Sequence, residues 1–259
     1  MVNWKTGNRT LGRPLNIAHR GASSAAPPNT LSAFEKALEL GADGVELDIH
    51  LSADGLPVVI HDFTVDATTD GCGKVTDMTL AQLQELDAGS TFDPAFAGEP
   101  IPSLEQVFET VGDRLLLNVE LKTTRLRDYG LERAVIAAIE RHGLSGDRVL
   151  ISSFNPFALR RIKRIAPHLP TGLLYAPNLP LPLRRAWLAP LCPHEARHPA
   201  HSMVNARYVA WARRQGYLIN AWTVDDPNDM RRLISLGVDG IITNLPDLLR
   251  AIMESGTPS

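Results

Sequence analysis

Residues 15–51 read LNIAHRGASSAAPPNTLSAFEKALELGADGVELDIHL, and the pattern of this stretch decides the fold. Two short apolar runs, Leu15 to His19 and Gly44 to Leu51, are predicted strands. Between them, residues 31–40 carry apolar side chains near helical spacing and are followed by Gly41, a common helix stop. A strand, a helix and a second strand in this order predict neighbouring parallel strands.

The same alternation continues along the chain. Short runs rich in Val, Ile and Leu predict strands at Leu15 to His19, Gly44 to Leu51, Pro57 to His61, Leu115 to Lys122, Val149 to Phe154, Thr171 to Tyr175, Ser202 to Asn205, Leu218 to Val224 and Gly240 to Asn244. Helical patterns follow at Leu104 to Val111, Glu132 to His142, Pro156 to Ile165, Ala206 to Gln215 and Pro227 to Leu236. About eight strand–helix units in about 250 residues predict a (β/α)8 TIM barrel. The surplus strand, Pro57 to His61, follows a turn signal and is expected to pair back on the preceding strand.

Two stretches interrupt the alternation. Residues 62–102 are rich in Thr, Asp and Gly and weakly periodic apart from Leu80 to Leu86. We expect them to form an insertion after the second strand with one short helix. Residues 176–201 are Pro-rich and irregular, and long loops in a barrel tend to carry function. Residues 1–259 are interpreted as a single TIM-barrel domain with an insertion at about 62–102.

Composition excludes several classes of protein. Of the 259 residues, 44% are hydrophobic and 21% are charged, which excludes disorder and collagen-like or disulfide-built scaffolds. The net charge of −3 includes no basic excess, so no nucleic-acid partner is expected. No segment approaches the ~20 apolar residues of a membrane span, so no stable membrane insertion is expected. Without a secretory signal pattern, the predicted location is the cytoplasm. The oligomeric state is left open.

Acidic side chains occur near the ends of two predicted barrel strands. Glu46 and Asp48 share one face because residues two apart on a strand point the same way, and Glu120 and Lys122 share another. Catalytic residues of TIM barrels project from the C-terminal ends of strands. Three converging carboxylates would repel one another, and a divalent cation, Mg²⁺ or Ca²⁺ with Mn²⁺ also possible, would relieve the repulsion. The alternative for any one pair is a solvated strand end or a salt bridge.

Two histidines and two cations complete the candidate site. His19 and His61 end their predicted strands and suit general acid and base roles, because imidazole titrates near neutral pH. Arg20 and Lys122 add positive charge that can bind a phosphate. A divalent cation with these side chains suits the cleavage of a phosphate ester. The alternative for Arg20 and Lys122, pairing with the same carboxylates, does not exclude phosphate binding.

The candidate residues lie within motifs that follow one another along most of the chain. The motifs are HRG (19–21), PNTLSAF (28–34), GADGVELDI (41–49), DG (54–55), VVIHD (58–62), TTDG (68–71), IPSL (101–104), NVELK (118–122), SSF (152–154), AWTV (221–224) and GVDGIITN (237–244). This ordered set resembles the glycerophosphodiester phosphodiesterase family over residues 17–248. His-Arg-Gly alone is weak evidence, whereas the ordered set is highly specific.

The resemblance implies a barrel with a small insertion after the second strand, and a hydrolase that releases glycerol 3-phosphate and an alcohol from a small-molecule glycerophosphodiester. It implies one divalent cation on Glu46, Asp48 and Glu120. It further implies His19 and His61 as the acid/base pair, Arg20 and Lys122 on the phosphate, and Trp222 as a wall for the glycerol moiety.

Four positions depart from the common pattern of the family. Pro28 stands where Glu is common, and Ala67 where Arg is common. Asp225 stands where Asn is frequent, and Asn244 where Asp is frequent. None of them is expected to touch the proposed metal or acid/base residues, so they bear on substrate preference more than on the reaction.

Other interpretations remain open on the sequence. Cys192, His194, His198 and His201 lie close in sequence, but their spacing fits no standard zinc module, and a solvated loop over the barrel mouth is expected instead. A Schiff-base aldolase with Lys122 as nucleophile needs a lowered lysine pKa, which nearby carboxylates would raise. A related phospholipase D-like barrel acting on lysophospholipids and a non-catalytic binder of phosphate metabolites are further alternatives.

Overall fold

The computed structural model describes residues 2–184 and 186–255, and its strands form a closed barrel. Residues 1, 185 and 256–259 of the expected single domain lie outside the described residues. The strands are β1 (Leu15–His19), β2 (Gly44–Leu51), β3 (Pro57–Val59), β4 (Leu116–Leu121), β5 (Val149–Ser153), β6 (Thr171–Tyr175), β7 (Ala196–Pro199), β8 (Leu218–Ala221) and β9 (Gly240–Thr243). Within the described residues, eight parallel strands pair in the order β1-β9-β8-β7-β6-β5-β4-β2, and β1 closes the barrel on β2. The predicted (β/α)8 architecture is confirmed.

Helices surround the barrel between the strands. They are α1 (Gly7–Leu11), α2 (Leu31–Glu39), α3 (Leu80–Gln84), α4 (Leu104–Val111), α5 (Leu131–Arg141), α6 (Pro156–Ile165), α7 (Leu181–Arg184), α8 (Ala206–Arg214), α9 (Pro227–Leu236) and α10 (Pro246–Ser255). Local signals set their ends, since the Thr30 hydroxyl caps α2 by accepting from the Ala33 amide. The positive φ of Gly41 turns the chain into β2. Helices α1, α7 and α10 were not predicted from the sequence.

The surplus strand lies outside the barrel. β3 runs antiparallel to the end of β2, with Ile49 opposite Val59 and Leu51 opposite Pro57. This confirms the predicted hairpin, although β3 ends two residues before His61. The hairpin returns the chain to the C-terminal end of β2 and so brings His61 back beside the acidic residues of that strand.

The insertion after β3 has a small apolar cluster of its own. It contains α3 and two short 3₁₀ turns, Val75–Asp77 and Pro94–Phe96, where one short helix was expected. The cluster packs against β3 and consists of Val58, Ile60, Val65, Val75, Leu83, Ala88 and Ile101. It anchors the segment that follows β3, and therefore the backbone that carries His61.

The prediction of a strand at Ser202 to Asn205 is wrong. The strand is β7, with Leu173 of β6 opposite Arg197, in a segment that the sequence suggested was a solvated loop. β7 lacks the apolar pattern of a strand because two of its buried residues are polar. His198 faces the barrel interior, and Arg197 lies against the ring of Tyr217, 4.6 Å from its centroid. Residues 201–203 form a 3₁₀ turn instead.

The inside of the barrel is divided into an apolar lower part and a polar upper part. Apolar side chains from several strands fill the N-terminal end together with Trp4, and they comprise Leu15, Ile17, Leu116, Leu150, Ala196 and Ile242. The Trp4 indole is 2% exposed and donates its N–H to the Arg148 carbonyl at 2.9 Å. This packed end closes the barrel floor and leaves the polar, C-terminal end of the interior for ligands.

We expect Trp4→Ala to lower the free energy of unfolding by about 3–5 kcal/mol, because it removes a large buried side chain from the floor of the barrel. Urea unfolding followed by circular dichroism measures the change. The matched control is Trp187→Ala, since Trp187 is 57% exposed and its loss should change stability by no more than about 0.5 kcal/mol. Equal effects of the two substitutions would contradict this account of the floor.

Candidate active site

All of the predicted site residues line one cavity of about 380 Å³ at the C-terminal end of the barrel. Its lining consists of His19, Arg20, Glu46, Asp48, His61, Asn118, Glu120, Lys122, Phe154, Leu174, Trp222 and Ile242. The strands that carry these residues are parallel, so their polar ends meet at the same edge. The barrel thus assembles one pocket from residues that are up to 223 positions apart in sequence.

Strand register places three carboxylates together. Asp48 lies opposite Glu120 in the β2–β4 pair, and Glu46 lies two residues earlier on the same inward face as Asp48. The three groups offer oxygen atoms within 4.8 Å of one another, and each residue is less than one-tenth exposed. Burial and the neighbouring Asp48 and Glu120 raise the pKa of Glu46 well above its ordinary value. Burial also raises the pKa of Glu120 to about 7.

Two cations hold this acidic cluster in place. Lys122 Nζ lies 3.0 Å from Glu120 Oε1 and 3.4 Å from Asp48 Oδ1, and Arg20 Nε lies 3.2 Å from Asp48 Oδ2. Although burial alone would raise it, Lys122 and Arg20 lower the pKa of Asp48. Arg20 has a φ of 57°, and this left-handed turn directs its backbone N–H to Glu46 Oε2 at 3.2 Å. Arg20 therefore contacts the carboxylates through both its side chain and its backbone N–H.

The donor set fits a hard divalent cation. Glu46 Oε1 and Asn118 Oδ1 are buried and have no hydrogen-bond partner in the part of the chain that the structure describes. Carboxylate and amide oxygens are the ligands that such cations prefer, and a cation would offset the repulsion that raises the pKa of Glu46. Across residues 2–184 and 186–255, Glu46, Asp48 and Glu120 are the one group of three His, Cys, Asp or Glu side chains close enough to share an ion.

His19 faces the acidic cluster with one ring nitrogen and a polar neighbour with the other. Its Nε2 lies 3.9 Å from Glu46 Oε2, and its Nδ1 lies 2.7 Å from Asn244 Oδ1. Burial, with a smaller effect of the Arg20 charge, lowers the pKa of His19 to about 4. The ring is therefore neutral at pH 7 in the metal-free structure.

His61 is held differently. Its Nδ1 lies 2.7 Å from Asp62 Oδ1, and its backbone carbonyl accepts a hydrogen bond from His50 Nε2 at 3.1 Å. The His61 side chain is 33% exposed, and burial lowers its pKa. The two histidines thus line the same cavity, one with an amide partner and one with a carboxylate partner.

Aromatic side chains form the wall across from the charged groups. The Trp222 indole N–H donates to the His198 carbonyl at 2.8 Å, which fixes the plane of the ring. Phe154 contacts Trp222 edge to face, with the ring centroids 5.5 Å apart. The cavity is therefore charged on one side and apolar on the other.

Three residues at the site were not singled out as functional from the sequence. Asn29, with a φ of 62°, donates its amide to Asp48 Oδ2 at 2.9 Å. Asn118 precedes Glu120 by two positions on β4, so strand alternation alone could have placed it on the inward face. Phe154 directly follows β5, and its signals are this position at a strand end and its place in the SSF motif.

The structure excludes two of the rival chemistries. Cys192, His194, His198 and His201 do not converge: His194 stacks on Tyr217, His198 binds Asn220, and His201 pairs with Asp229. Burial raises the pKa of the Cys192 thiol to about 11, which disfavours a metal-binding thiolate. Burial alone would lower the pKa of Lys122, but Glu120 and Asp48 raise it, which is opposite to what a Schiff-base nucleophile needs.

Comparison with known proteins agrees with this geometry. The model of the glycerophosphoryl diester phosphodiesterase family matches residues 19–248. A glycerophosphodiester phosphodiesterase of Caldanaerobacter subterraneus is 45% identical, with 94% of this chain and 99% of that protein covered. One of Bacillus subtilis is 34% identical, with 93% and 87% covered.

Solved structures agree on the fold. An Oleispira antarctica phosphodiesterase in complex with the product sn-glycerol-3-phosphate superposes with a TM-score of 0.84 at 31% identity, covering 95% of this chain and 98% of that one. The region that the family model matches, residues 19–248, includes every residue that lines the cavity. The chain therefore belongs to the glycerophosphoryl diester phosphodiesterase family and is a phosphodiester hydrolase built on a TIM barrel.

Proposed function

We propose that this enzyme hydrolyses small glycerophosphodiesters to glycerol 3-phosphate and an alcohol, using one divalent cation held by Glu46, Asp48 and Glu120. The observation that carries the proposal is the buried group of three carboxylates, in which Glu46 Oε1 has no hydrogen-bond partner among residues 2–184 and 186–255. The product bound to the Oleispira antarctica relative supports glycerol 3-phosphate as a ligand of the same pocket. Mg²⁺, Ca²⁺ and Mn²⁺ all suit oxygen ligands, and the choice among them is left to experiment.

The protein's own cations bind the phosphate. When bound, the divalent cation supplies Lewis acidity to a phosphoryl oxygen. Arg20 and Lys122 can donate to other phosphate oxygens without giving up their carboxylate contacts, because a guanidinium has five N–H donors and an ammonium has three. Both side chains line the cavity beside the acidic cluster. They stabilise the negative charge that builds up on the phosphoryl group.

The two imidazoles move the protons. His19 and His61 both line the cavity and have one ring nitrogen turned away to a fixed partner, so the other nitrogen is available to substrate. One ring removes a proton from the attacking oxygen, which belongs to water or to the neighbouring glycerol hydroxyl, and the other ring protonates the departing alcohol oxygen. If the glycerol hydroxyl attacks, the same two rings then assist water in opening the cyclic phosphate to glycerol 3-phosphate. The Trp222 and Phe154 rings offer an apolar face for the carbon side of the glycerol moiety.

The substrate is proposed to be a small molecule rather than an assembled lipid surface. None of the helices within the described residues is long and apolar enough to cross a membrane. The cytoplasmic location predicted from the sequence remains a prediction.

The central experiment sets a panel of glycerophosphodiesters against a panel of metals. The protein is stripped with a chelator and assayed with glycerophosphocholine, glycerophosphoethanolamine and glycerophosphoglycerol, after addition of Mg²⁺, Ca²⁺ or Mn²⁺. Coupled detection of glycerol 3-phosphate should show turnover with at least one cation and none with the chelator. Turnover of lysophospholipids in place of these diesters would favour the phospholipase D-like alternative. Full activity in the chelator would contradict the metal requirement.

We expect His19→Ala and His61→Ala each to lower kcat by about 10²–10⁴-fold, the usual loss when one general acid or base is removed. Initial rates at saturating substrate and cation measure the effect. The matched control is His168→Ala, because His168 is exposed and far from the cavity lining, and its rate should equal that of the parent. Near-parental rates for both site variants would remove the acid/base assignment.

We expect Glu46→Gln to be more stable than the parent in the absence of the metal and to gain less stability than the parent when the metal binds. In a chelator, the substitution should raise Tm, because it removes the cost of either ionising or protonating Glu46 beside two buried carboxylates, at about 2–4 °C for each kcal/mol gained. With saturating divalent cation, the parent should gain about 2.7 kcal/mol at one hundred times Kd, and the variant should gain much less. Differential scanning calorimetry measures both. Exposed Glu140→Gln should follow the parent in each condition, and an equal metal response of Glu46→Gln would contradict the site.

A further inference from the structure

Two residues that the proposed mechanism does not use stand behind His19. Asn244 directly follows β9, and Asp225 lies four residues beyond the end of β8. Asn244 Oδ1 lies 2.7 Å from His19 Nδ1, and Asn244 Nδ2 donates to Asp225 Oδ2 at 2.6 Å. Asp225, Asn244 and His19 therefore form a hydrogen-bonded chain that ends at the ring facing the acidic cluster.

Only one arrangement of donors and acceptors is possible along this series of hydrogen bonds. A carboxylate has no proton to donate, so the side-chain atom that Asn244 turns toward Asp225 must be its NH2 group. The carbonyl oxygen of the same amide then faces His19, and because this oxygen only accepts, Nδ1 of His19 must carry the proton. In the neutral ring, Nε2 is then the unprotonated nitrogen, and it is the one directed toward Glu46.

Neighbouring groups hold this arrangement from both sides. The Asn244 backbone N–H and the Thr243 hydroxyl both donate to Asp225 Oδ1, at 2.8 and 3.0 Å. The Ser23 hydroxyl donates to Asn244 Oδ1 at 2.8 Å, which further identifies that atom as an acceptor. With Asp225 held by three donors, the Asn244 amide has no free path to turn over.

We propose that Asp225 and Asn244 are positioning residues that hold His19 as the Nδ1–H tautomer, so that its Nε2 presents a lone pair to the reacting proton. The inference rests on the proposed function, because it specifies how one of its two imidazoles is prepared. It gives His19 the role of proton acceptor in the first proton transfer. His61 differs, since its Nδ1 contacts the Asp62 carboxylate directly, and this contact opposes the lowering of its pKa by burial and so suits the proton donor.

The two positions also depart from the common family pattern in opposite directions, Asp for Asn at 225 and Asn for Asp at 244. The structure shows that they are partners and that Asn244 contacts His19, so the prediction that none of these positions touches an acid/base residue is wrong. The exchange keeps one carboxylate and one amide in the pair, but it moves the negative charge from the residue beside the His19 ring to the residue behind it. The Nδ1–H tautomer is specified in both arrangements, because either a carbonyl oxygen or a carboxylate accepts from Nδ1.

The decisive variant is Asp225→Asn, which preserves size and changes polarity. The new amide can turn its NH2 group toward Asn244, whose amide then reverses and directs its own NH2 group at His19 Nδ1. We expect the neutral His19 ring to shift to the Nε2–H tautomer and kcat to fall about 10- to 100-fold, with KM within about twofold of the parent. Asp226→Asn is the matched control: it removes the same charge one position away, and Asn caps helix α9 as well as Asp does.

The rescue is the double exchange Asp225→Asn with Asn244→Asp. It again supplies an acceptor to His19 Nδ1 and a donor to that acceptor, so kcat should return to within a few-fold of the parent. Asn244→Asp alone places two carboxylates at the 2.6 Å contact, and should lower kcat and Tm together.

Ring ¹⁵N NMR of metal-free protein reads the tautomer without turnover, with the His19 signals identified by their absence in His19→Gln. A protonated Nδ1 in the parent, lost in Asp225→Asn and regained in the double exchange, is the expected result. A parent ring protonated at Nε2, an unchanged ring and kcat in Asp225→Asn, or no recovery in the double exchange would each overturn the inference. Failure of the proposed function would appear separately, as a parent with no turnover and the expected ring signals.

Discussion

The structure depends on a group of like charges held inside a protein. Glu46, Asp48 and Glu120 bring carboxylate oxygens within 4.8 Å of one another at buried positions, where repulsion and lost hydration both act against the ionised forms. Folding tolerates this cluster because Lys122 and Arg20 lie against it and Asn29 donates to it. Three carboxylates face two cations there, and Glu46 Oε1 has no hydrogen-bond partner among the described residues, which supports the proposed cation site.

The barrel makes such a cluster possible by separating stability from chemistry along its axis. The N-terminal half of its interior is filled by apolar side chains and closed by Trp4, which supplies the packing that the charged end lacks. The β3 hairpin and the insertion then bring His61 to the open end from outside the barrel. The backbone of each candidate site residue is held by a strand end or a turn. Little conformational entropy therefore remains to be lost when substrate binds.

Much of this organisation could be predicted from the chain. The alternation of strands and helices indicated the barrel, and period-2 spacing on β2 and β4 indicated inward carboxylates, because both are local properties of the sequence. The strand at β7 was missed because Arg197 and His198 are polar, and their burial is supported by partners distant in sequence, the Tyr217 ring and the Asn220 amide. The hydrophobicity pattern of a sequence does not indicate such partners. Asn29 was missed as a site residue for the same reason, since its role exists only once α2 and β2 lie side by side.

Consecutive residues were enough to predict the fold class, the family and the candidate site residues, because strand and helix periods and ordered motifs are local in sequence. The partners of those side chains follow from the tertiary structure alone. Asn244 and Asp225 reach His19 across more than two hundred residues, and the direction of their hydrogen bonds follows from which atoms the closed barrel places in contact. Donors and acceptors are distinguished by geometry, and that geometry is created when β9 closes against β1.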